Sequence, residues 1–387
     1  MFNKKGFSAL LFLLLSLMLL GGCGGSDSPG ALSAWSGGWR TMVSYLDDPL
    51  VQAACETVAD AAPGYGTGGV TQFLKNMYRC DFSAMEISGG SVTFFDEEGS
   101  ELETVLYRAA GTAPMAGYEG MNWSLFEAVT QPEEGCRYLA ATEVHGGDGE
   151  GMEHWHFRCG DASFEALVGE AADPLWWPTA VADDTAAQVV ADDILSEVDA
   201  YVAMLGEPLS AWKGTWVSVA SFLDDPAMDA AYDAVAAEAQ AAGKNHDAAS
   251  VKAFLEAMFE TPFAFVVVEG DALSFLDASG ATLARVPVSY EGQVAMVGYD
   301  GYYWEHFQAR EAVAGYGRLL MSAVHSDGED AMVHWHLRFG DGTAEELAQG
   351  LDKGPLWFPT CAGEETTVES FAEDVLGEAA AYAQMLP

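Results

Sequence analysis

Three histidines fall within the stretch VHGGDGEGMEHWH, residues 144–156, of a chain that has eight histidines in all. They are His145, His154 and His156, and glycine and acid fill the loop between the first two. In HWH the two imidazoles are two positions apart. On a strand, side chains alternate between faces, so His154 and His156 share one face and Trp155 takes the other. The upstream segment CRYLAATEVH reads as the partner strand of a hairpin. An antiparallel pair joined by residues 146–153 then sets His145 opposite His154. Three neutral imidazoles converging on one face can hold a transition ion, at about 2.0–2.1 Å for each Zn–N bond. Imidazole also suits copper, nickel and cobalt, and affinity alone favours copper. The competing reading is plain packing, which is the ordinary fate of a lone histidine and the reading that fits His246 and His306. Three crowded imidazoles repel one another when protonated, and a metal removes that conflict.

The pattern is written twice. VHGGDGEGMEHWHFRCGD from Val144 returns as VHSDGEDAMVHWHLRFGD from Val324, so His325, His334 and His336 repeat the same spacing. LSAWSGGWRTMVSYLDDP from Leu32 returns as LSAWKGTWVSVASFLDDP from Leu209, and PLWWPT from Pro174 returns as PLWFPT from Pro355. Order is preserved throughout, which marks a tandem duplication with each copy long enough to be a domain. The expected boundaries are 32–208 for the first copy and 209–387 for the second, joined at GEPLS, residues 206–210. Glu150 and Asp330 occupy equivalent places in the two histidine loops and are candidates for a fourth metal position, although loop acids are more often simply solvated.

The elements that must position these residues are mixed. LDDP offers Asp48 or Asp225 as a helix N-cap with proline at the first helical position. Two helices follow in each copy, then strand-like segments such as FSAMEIS, SVTFF and TLARVPVSY with turns at Gly89-Gly90, EEGS and EGDA. The histidine hairpin comes next, then a helix from near Asp161 or Asp341 and a closing acidic, alanine-rich helix. Short antiparallel strands flanked by helices indicate a small β-barrel or curved sheet with helices outside.

The bulk properties narrow the function. At 387 residues, half of them hydrophobic, the chain can bury two cores. Sixteen basic against 59 acidic residues give a formal charge of −43. That charge excludes nucleic acid as a partner, since no basic patch exists to neutralise phosphates. It favours small cations, whose local concentration a negative potential raises, although solubility alone accounts for most such acids. Residues 1–22 carry Lys4 and Lys5, an apolar run from Phe7 to Leu20 and then LGGC ending at Cys23. This resembles a bacterial lipoprotein signal. It implies lipidation at Cys23, a tether over residues 23–31 and an extracytoplasmic site on a bacterial membrane, in the periplasm or at the cell surface. Cys55, Cys80, Cys136 and Cys159 form an even set in the first copy, and outside the cytoplasm such a set suggests disulfides in one of three pairings. Cys361 stands alone in the second.

Taken together, LSAWxGxW, YEGMNWSLFEA with YDGYYWEHFQA, H-x8-H-x-H followed by GD, and the W-P-T of LWWPT and its LWFPT counterpart resemble the ZinT (YodA-like) family of extracytoplasmic zinc-binding proteins. The resemblance covers nearly all of each copy; the helical region after LDDP is the least similar part. It implies a mainly β fold of two tandem calycin, lipocalin-like β-barrels with flanking helices, and zinc held at each barrel mouth. The implied ligands are His145, His154 and His156, then His325, His334 and His336. It also implies zinc capture under scarcity, delivery toward the solute-binding component of a zinc ABC transporter, and cadmium as a second metal in some members. The chain departs from the family in its two fused copies with a lipid anchor, in lacking a histidine-rich N-terminal segment, and in its acidic histidine loop.

A three-histidine zinc hydrolase or hydratase is the rival reading, because an open fourth position lowers the pKa of bound water to about 7. Glu143 is the base such a site would use in the first copy. Its equivalent in the second is Ala323, so the sequence favours a binding protein rather than an enzyme. A barrel binding an organic ligand, lined by aromatics such as Trp123 and Trp304, is the third class; at strand spacing such residues are usually core.

Overall fold

The computed structural model describes residues 31–133, 135–146, 151–326, 328 and 332–387. The signal segment with Cys23, and the loop acids Glu150 and Asp330, lie outside the described residues. The chain divides into two compact units, Met1–Ala61 with Val70–Met204, and Ala62–Gly69 with Leu205–Pro387.

In the first copy the order is β1 (Gly37–Thr41), α1 (Pro49–Ala61), α2 (Thr67–Tyr78), β2 (Ala84–Ser88), β3 (Ser91–Phe95), β4 (Glu101–Pro114), β5 (Asn122–Ala128), β6 (Tyr138–Ala141), β7 (His154–Gly160), α3 (Phe164–Val168), β8 (Thr179–Ala182), α4 (Ala187–Ser196) and α5 (Val198–Leu205). The strands pair in sequence order, all antiparallel, and β8 closes on β1 through Trp39 opposite Ala182. The second copy repeats this as β9 (Gly214–Ser218), α6 (Asp229–Ala241), α7 (Ala248–Phe259), β10 (Phe265–Glu269), β11 (Ala272–Leu276), β12 (Thr282–Ala295), β13 (Tyr303–Ala309), β14 (Arg318–Met321), β15 (His334–Gly340), α8 (Ala344–Ala348), β16 (Thr360–Gly363), α9 (Val368–Gly377) and α10 (Ala379–Met385). It closes through β16 on β9. The expected fold class, tandem lipocalin-like barrels with flanking helices, is what the chain forms.

Alternation fills each barrel. Trp35, Trp39, Met85, Val92, Val105, Phe126, Trp155 and Phe157 meet in the first interior, and Trp212, Trp216, Val266, Phe275, Trp335 and Leu337 in the second. Indole rings of Trp39 and Trp155 pack edge to face at 5.8 Å, as Trp216 and Trp335 do at 5.9 Å. Both long strands, β4 and β12, bend at a register shift beside Gly111 and Gly292, whose φ values of +113° and +101° disfavour any residue with a Cβ. That bend turns one flat ribbon into two walls of a barrel.

The opposite face of the closing strands is covered by helices. In the second unit α6, α7, α9 and α10 bury Tyr232, Val235, Leu255, Phe371 and Val375 against Val217 and Ala362. Asp247 caps α7 and Thr367 caps α9, each in a reciprocal capping box with a serine three residues on. At Asp225 the proline-led turn is a short 3-10 segment, Pro226–Met228, with α6 beginning after it.

Of the four first-copy cysteines, Cys136 and Cys159 are disulfide-bonded, whereas Cys55 and Cys80 are free, as is Cys361. The even count therefore resolves into one bridge. Cys55 is buried on the packing face of α1, and the Cys80 thiol donates to the Phe82 carbonyl instead. Among the described residues, no helix is long and apolar enough to cross a membrane.

Candidate metal centre

The histidine hairpin is built as the spacing predicts, with one addition that the spacing does not show. In β6 and β7 Ala141 stands opposite Phe157, both facing the barrel interior. If that register continued, His145 would oppose Glu153 and point inward. The structure instead pairs His145 with His154 through two reciprocal backbone hydrogen bonds of 2.9 Å. Three residues, 142–144, therefore face two, 155–156, which is a β-bulge. The extra residue turns His145 onto the face of His154 and His156. The second copy has the same bulge, between Met321 opposite Leu337 and His325 opposite His334.

A bulge breaks the ladder, and a hydroxyl mends it. The His156 backbone N–H donates to Thr142 Oγ1 at 2.9 Å, and the His336 N–H to Ser322 Oγ at 2.8 Å. Because Trp155 and Trp335 lie inside their barrels, the imidazoles face outward from the rim rather than into the cavity.

Each set of three is tight. Ring centroids of His145, His154 and His156 lie 4.0, 5.4 and 5.3 Å apart, and those of His325, His334 and His336 lie 4.2, 5.4 and 5.1 Å apart. In each set, one nitrogen from every ring lies within 4.8 Å of the others. Nitrogens bound tetrahedrally at 2.0–2.1 Å would stand about 3.3 Å apart, a small ring rotation away. The outer ring nitrogens are all engaged. Nδ1 of His145 donates to the Glu143 carbonyl at 2.9 Å, and Nδ1 of His154 to the Met152 carbonyl at 2.8 Å. His325 and His334 do the same toward Ala323 and Met332, at 2.8 and 3.0 Å. Nδ1 of His156 and of His336 meets Thr179 Oγ1 and Thr360 Oγ1, at 2.9 and 3.0 Å. A carbonyl only accepts, so Nδ1 of His145, His154, His325 and His334 carries the proton and Nε2 of each keeps its lone pair. Nε2 of His145 is buried without a partner. A buried orphan acceptor is costly unless something binds it. A cation among three such lone pairs meets that need, so the residues fit zinc.

The surroundings favour the neutral form of His145, His154, His156 and His336. Burial pulls the His156 imidazole well below its ordinary value, helped by neighbouring His154, His145 and Arg158. Burial holds His336 at about 3, with His334, His325 and Arg338 adding to it. Burial also lowers His145 and His154. Arg158 and Arg338 continue the histidine face. Arg158 donates to the Leu167 and Asp173 carbonyls, and Arg338 to those of Trp357 and Pro355 among others. Trp177 lies between His156 and Arg158, at 5.4 and 5.3 Å, and Phe358 between His336 and Arg338, at 5.6 and 4.6 Å.

Sequence reasoning missed Asp193 on α4. Burial raises its carboxyl to about 6 while the charge of His145 pulls it back, and Asp193 in turn favours the protonated form of His145. An acid some forty residues downstream of the hairpin (a separation of no recognisable motif) carries no sequence signal. Glu143 has an exposed side chain, and what it contributes to the site is its carbonyl. Trp123 and Trp304 do not line a barrel interior. Trp123 stacks on Trp177 under the Arg158 guanidinium, and Trp304 packs against α8 with Leu320 and Leu347. His246 faces the Pro387 carbonyl at 3.0 Å. Burial lowers His306 to about 4, and among the described residues neither it nor His246 belongs to a three-ligand group.

Comparison with known proteins matches both copies of the repeat to one family. The chain matches the family described as ZinT (YodA) periplasmic lipocalin-like zinc-recruitment over residues 28–197 and again over 202–374. It is 25% identical over 173 residues to the zinc-binding lipoprotein AdcA of Streptococcus pneumoniae strain R6, covering 44% of this chain and 33% of that protein. It is 24% identical over 152 residues to the zinc-binding protein AdcA of Streptococcus pyogenes serotype M1, covering 39% and 29%. The match thus spans about a third of the length of these relatives. Among solved structures, the Zn(II)-bound ZinT-like domain of S. pneumoniae AdcA is similar at 19% identity and a TM-score of 0.34, covering 45% of this chain and 94% of that one.

Proposed function

The chain belongs to the ZinT family of lipocalin-like zinc-recruitment proteins, and we propose that it is an extracytoplasmic protein that captures zinc at two sites. His145, His154 and His156 hold one ion and His325, His334 and His336 the other, one per domain, with domains spanning 32–208 and 209–387. The observation that carries this reading is the twofold occurrence of three imidazoles with their Nδ1 atoms engaged and one nitrogen of each ring within 4.8 Å of the others. Zinc is cargo here. Cadmium, copper, nickel and cobalt are chemically admissible at such a donor set.

Residues 1–22 are removed as a signal peptide, Cys23 is acylated and residues 23–31 tether the domains to a bacterial membrane. The description of the pneumococcal relative as a zinc-binding lipoprotein supports that anchor. The captured ion passes to the solute-binding component of a zinc ABC transporter. Recruitment rather than catalysis is the family's role, and an alanine at position 323, opposite Glu143 in the repeat, speaks against a required base.

X-ray absorption at the zinc edge tests the ligand set. The expected spectrum shows imidazole nitrogens at about 2.0–2.1 Å and no sulfur shell near 2.3 Å. A sulfur shell would move the ion to the cysteines and contradict the assignment.

A further inference from the structure

The LWWPT and LWFPT segments stand out in the sequence, yet capture of two ions, each by three histidines, gives them no part. Their threonines sit in the closing strands. Register places Thr179 opposite His156 and Thr360 opposite His336, and both threonines are buried, with 1% and 3% of their surface exposed. Thr179 Oγ1 donates its one proton to the Trp177 carbonyl at 2.9 Å, and Thr360 Oγ1 donates to that of Phe358 at 2.9 Å. Toward the imidazole each hydroxyl is left only an acceptor. The contacts of 2.9 and 3.0 Å therefore run from Nδ1–H to Oγ1.

The first two rings of each set solve the same problem with the backbone carbonyl two residues earlier. His156 has no such carbonyl free, because that of His154 already accepts the His145 N–H at 2.9 Å. His336 is in the same position, since the His334 carbonyl accepts from His325. The third ring has to find its acceptor on the neighbouring strand.

We propose that Thr179 and Thr360 are positioning residues, each fixing the third imidazole of its site in the Nδ1–H tautomer so that Nε2 faces the ion. The inference rests on reading the histidines as zinc ligands. A relay from backbone carbonyl through hydroxyl to ring makes the orientation a property of the closed barrel. β8 and β16 must be zipped onto β7 and β15 before the site is complete.

The test uses the full chain, metal-free, with 15N-labelled histidine. Long-range proton–nitrogen correlation spectra should show His156 and His336 as Nδ1–H tautomers. Thr179→Val and Thr360→Val keep the branched strand shape and remove the acceptor. Each should mix the tautomers of its own histidine and weaken zinc at its own site by about 10–100-fold, the usual effect of losing such a partner. Thr→Ser at either position should retain both properties. An Nε2–H tautomer in the unsubstituted protein would overturn the inference even if the valine variants failed to fold. So would folded valine variants with unchanged tautomer and affinity. If His156→Ala still bound zinc at full affinity in the first domain while the tautomers were as stated, the ligand assignment would fail and the ring-orienting role of the threonines would stand.

Discussion

At the scale of single residues, burial and mutual repulsion bias the site toward neutral imidazoles. His336 at about 3 lies far below the ordinary 6.5 or so of a free imidazole. Protons therefore compete for it only in stronger acid, and zinc should remain bound at pH values where an exposed three-histidine site has released it. Titrating the zinc-loaded protein against a chromophoric chelator should give a release midpoint below pH 6; a midpoint at or above 6.5 would contradict the burial argument. The same depression has a signed effect on the metal-free fold. Above about pH 6.5 both folded and unfolded states hold His336 neutral. As pH falls from there toward 3 the unfolded chain takes the proton first, so stability is lost over that window. In comparison with His336→Gln, which removes the titration, the metal-free wild type should melt progressively lower as pH drops from 7 to 4. A gap in melting temperature independent of pH would exclude this cause. Asp193, raised to about 6, has the opposite sign in the first unit: its contribution is present in acid and lost as pH rises through 6.

At the scale of elements, the bulge in each hairpin decides whether three imidazoles or two share one face. Deleting Glu143, whose side chain is exposed, would remove the extra residue and join the two registers with His145 still opposite His154, but it takes away the carbonyl that accepts from the His145 Nδ1–H. The deletion should lower zinc affinity at the first site by about 10–100-fold, the usual effect of losing such a partner, and leave the second site unchanged; isothermal titration resolves the two. Deleting Ala323 should do the reverse. Native affinity in both deletions would mean that the carbonyls of the bulge do not hold the first ring of each site. This is also where the sequence stopped being legible. Period-two alternation made His154, Trp155 and His156 readable, and the repeat made the second site readable from the first. A one-residue bulge has no period, and Thr142 looks like any strand threonine until the His156 N–H is seen to lack a carbonyl partner. Thr179 lies 23 positions from His156 and meets it only because β8 closes the barrel, a pairing that no local pattern announces. The rings facing outward from the rim follow from Trp155 filling the interior, which alternation implies once the inward face is known.

At the scale of the whole molecule, the duplication and the charge act together. The acids produce a negative potential that raises the local concentration of divalent cations. Zinc association measured by stopped flow should slow as ionic strength rises from 10 to 150 mM, with dissociation little changed; a salt-independent on-rate would mean that the charge serves solubility alone. The proposed membrane attachment is separable from capture. Growth with a clickable fatty acid should label the chain through Cys23 and leave Cys23→Ala unlabelled, and label that persists in the variant would rule the anchor out. Titrating the metal-free chain with zinc should saturate near two ions, with His154→Ala and His334→Ala together abolishing both, whereas full stoichiometry in that double variant would contradict the account.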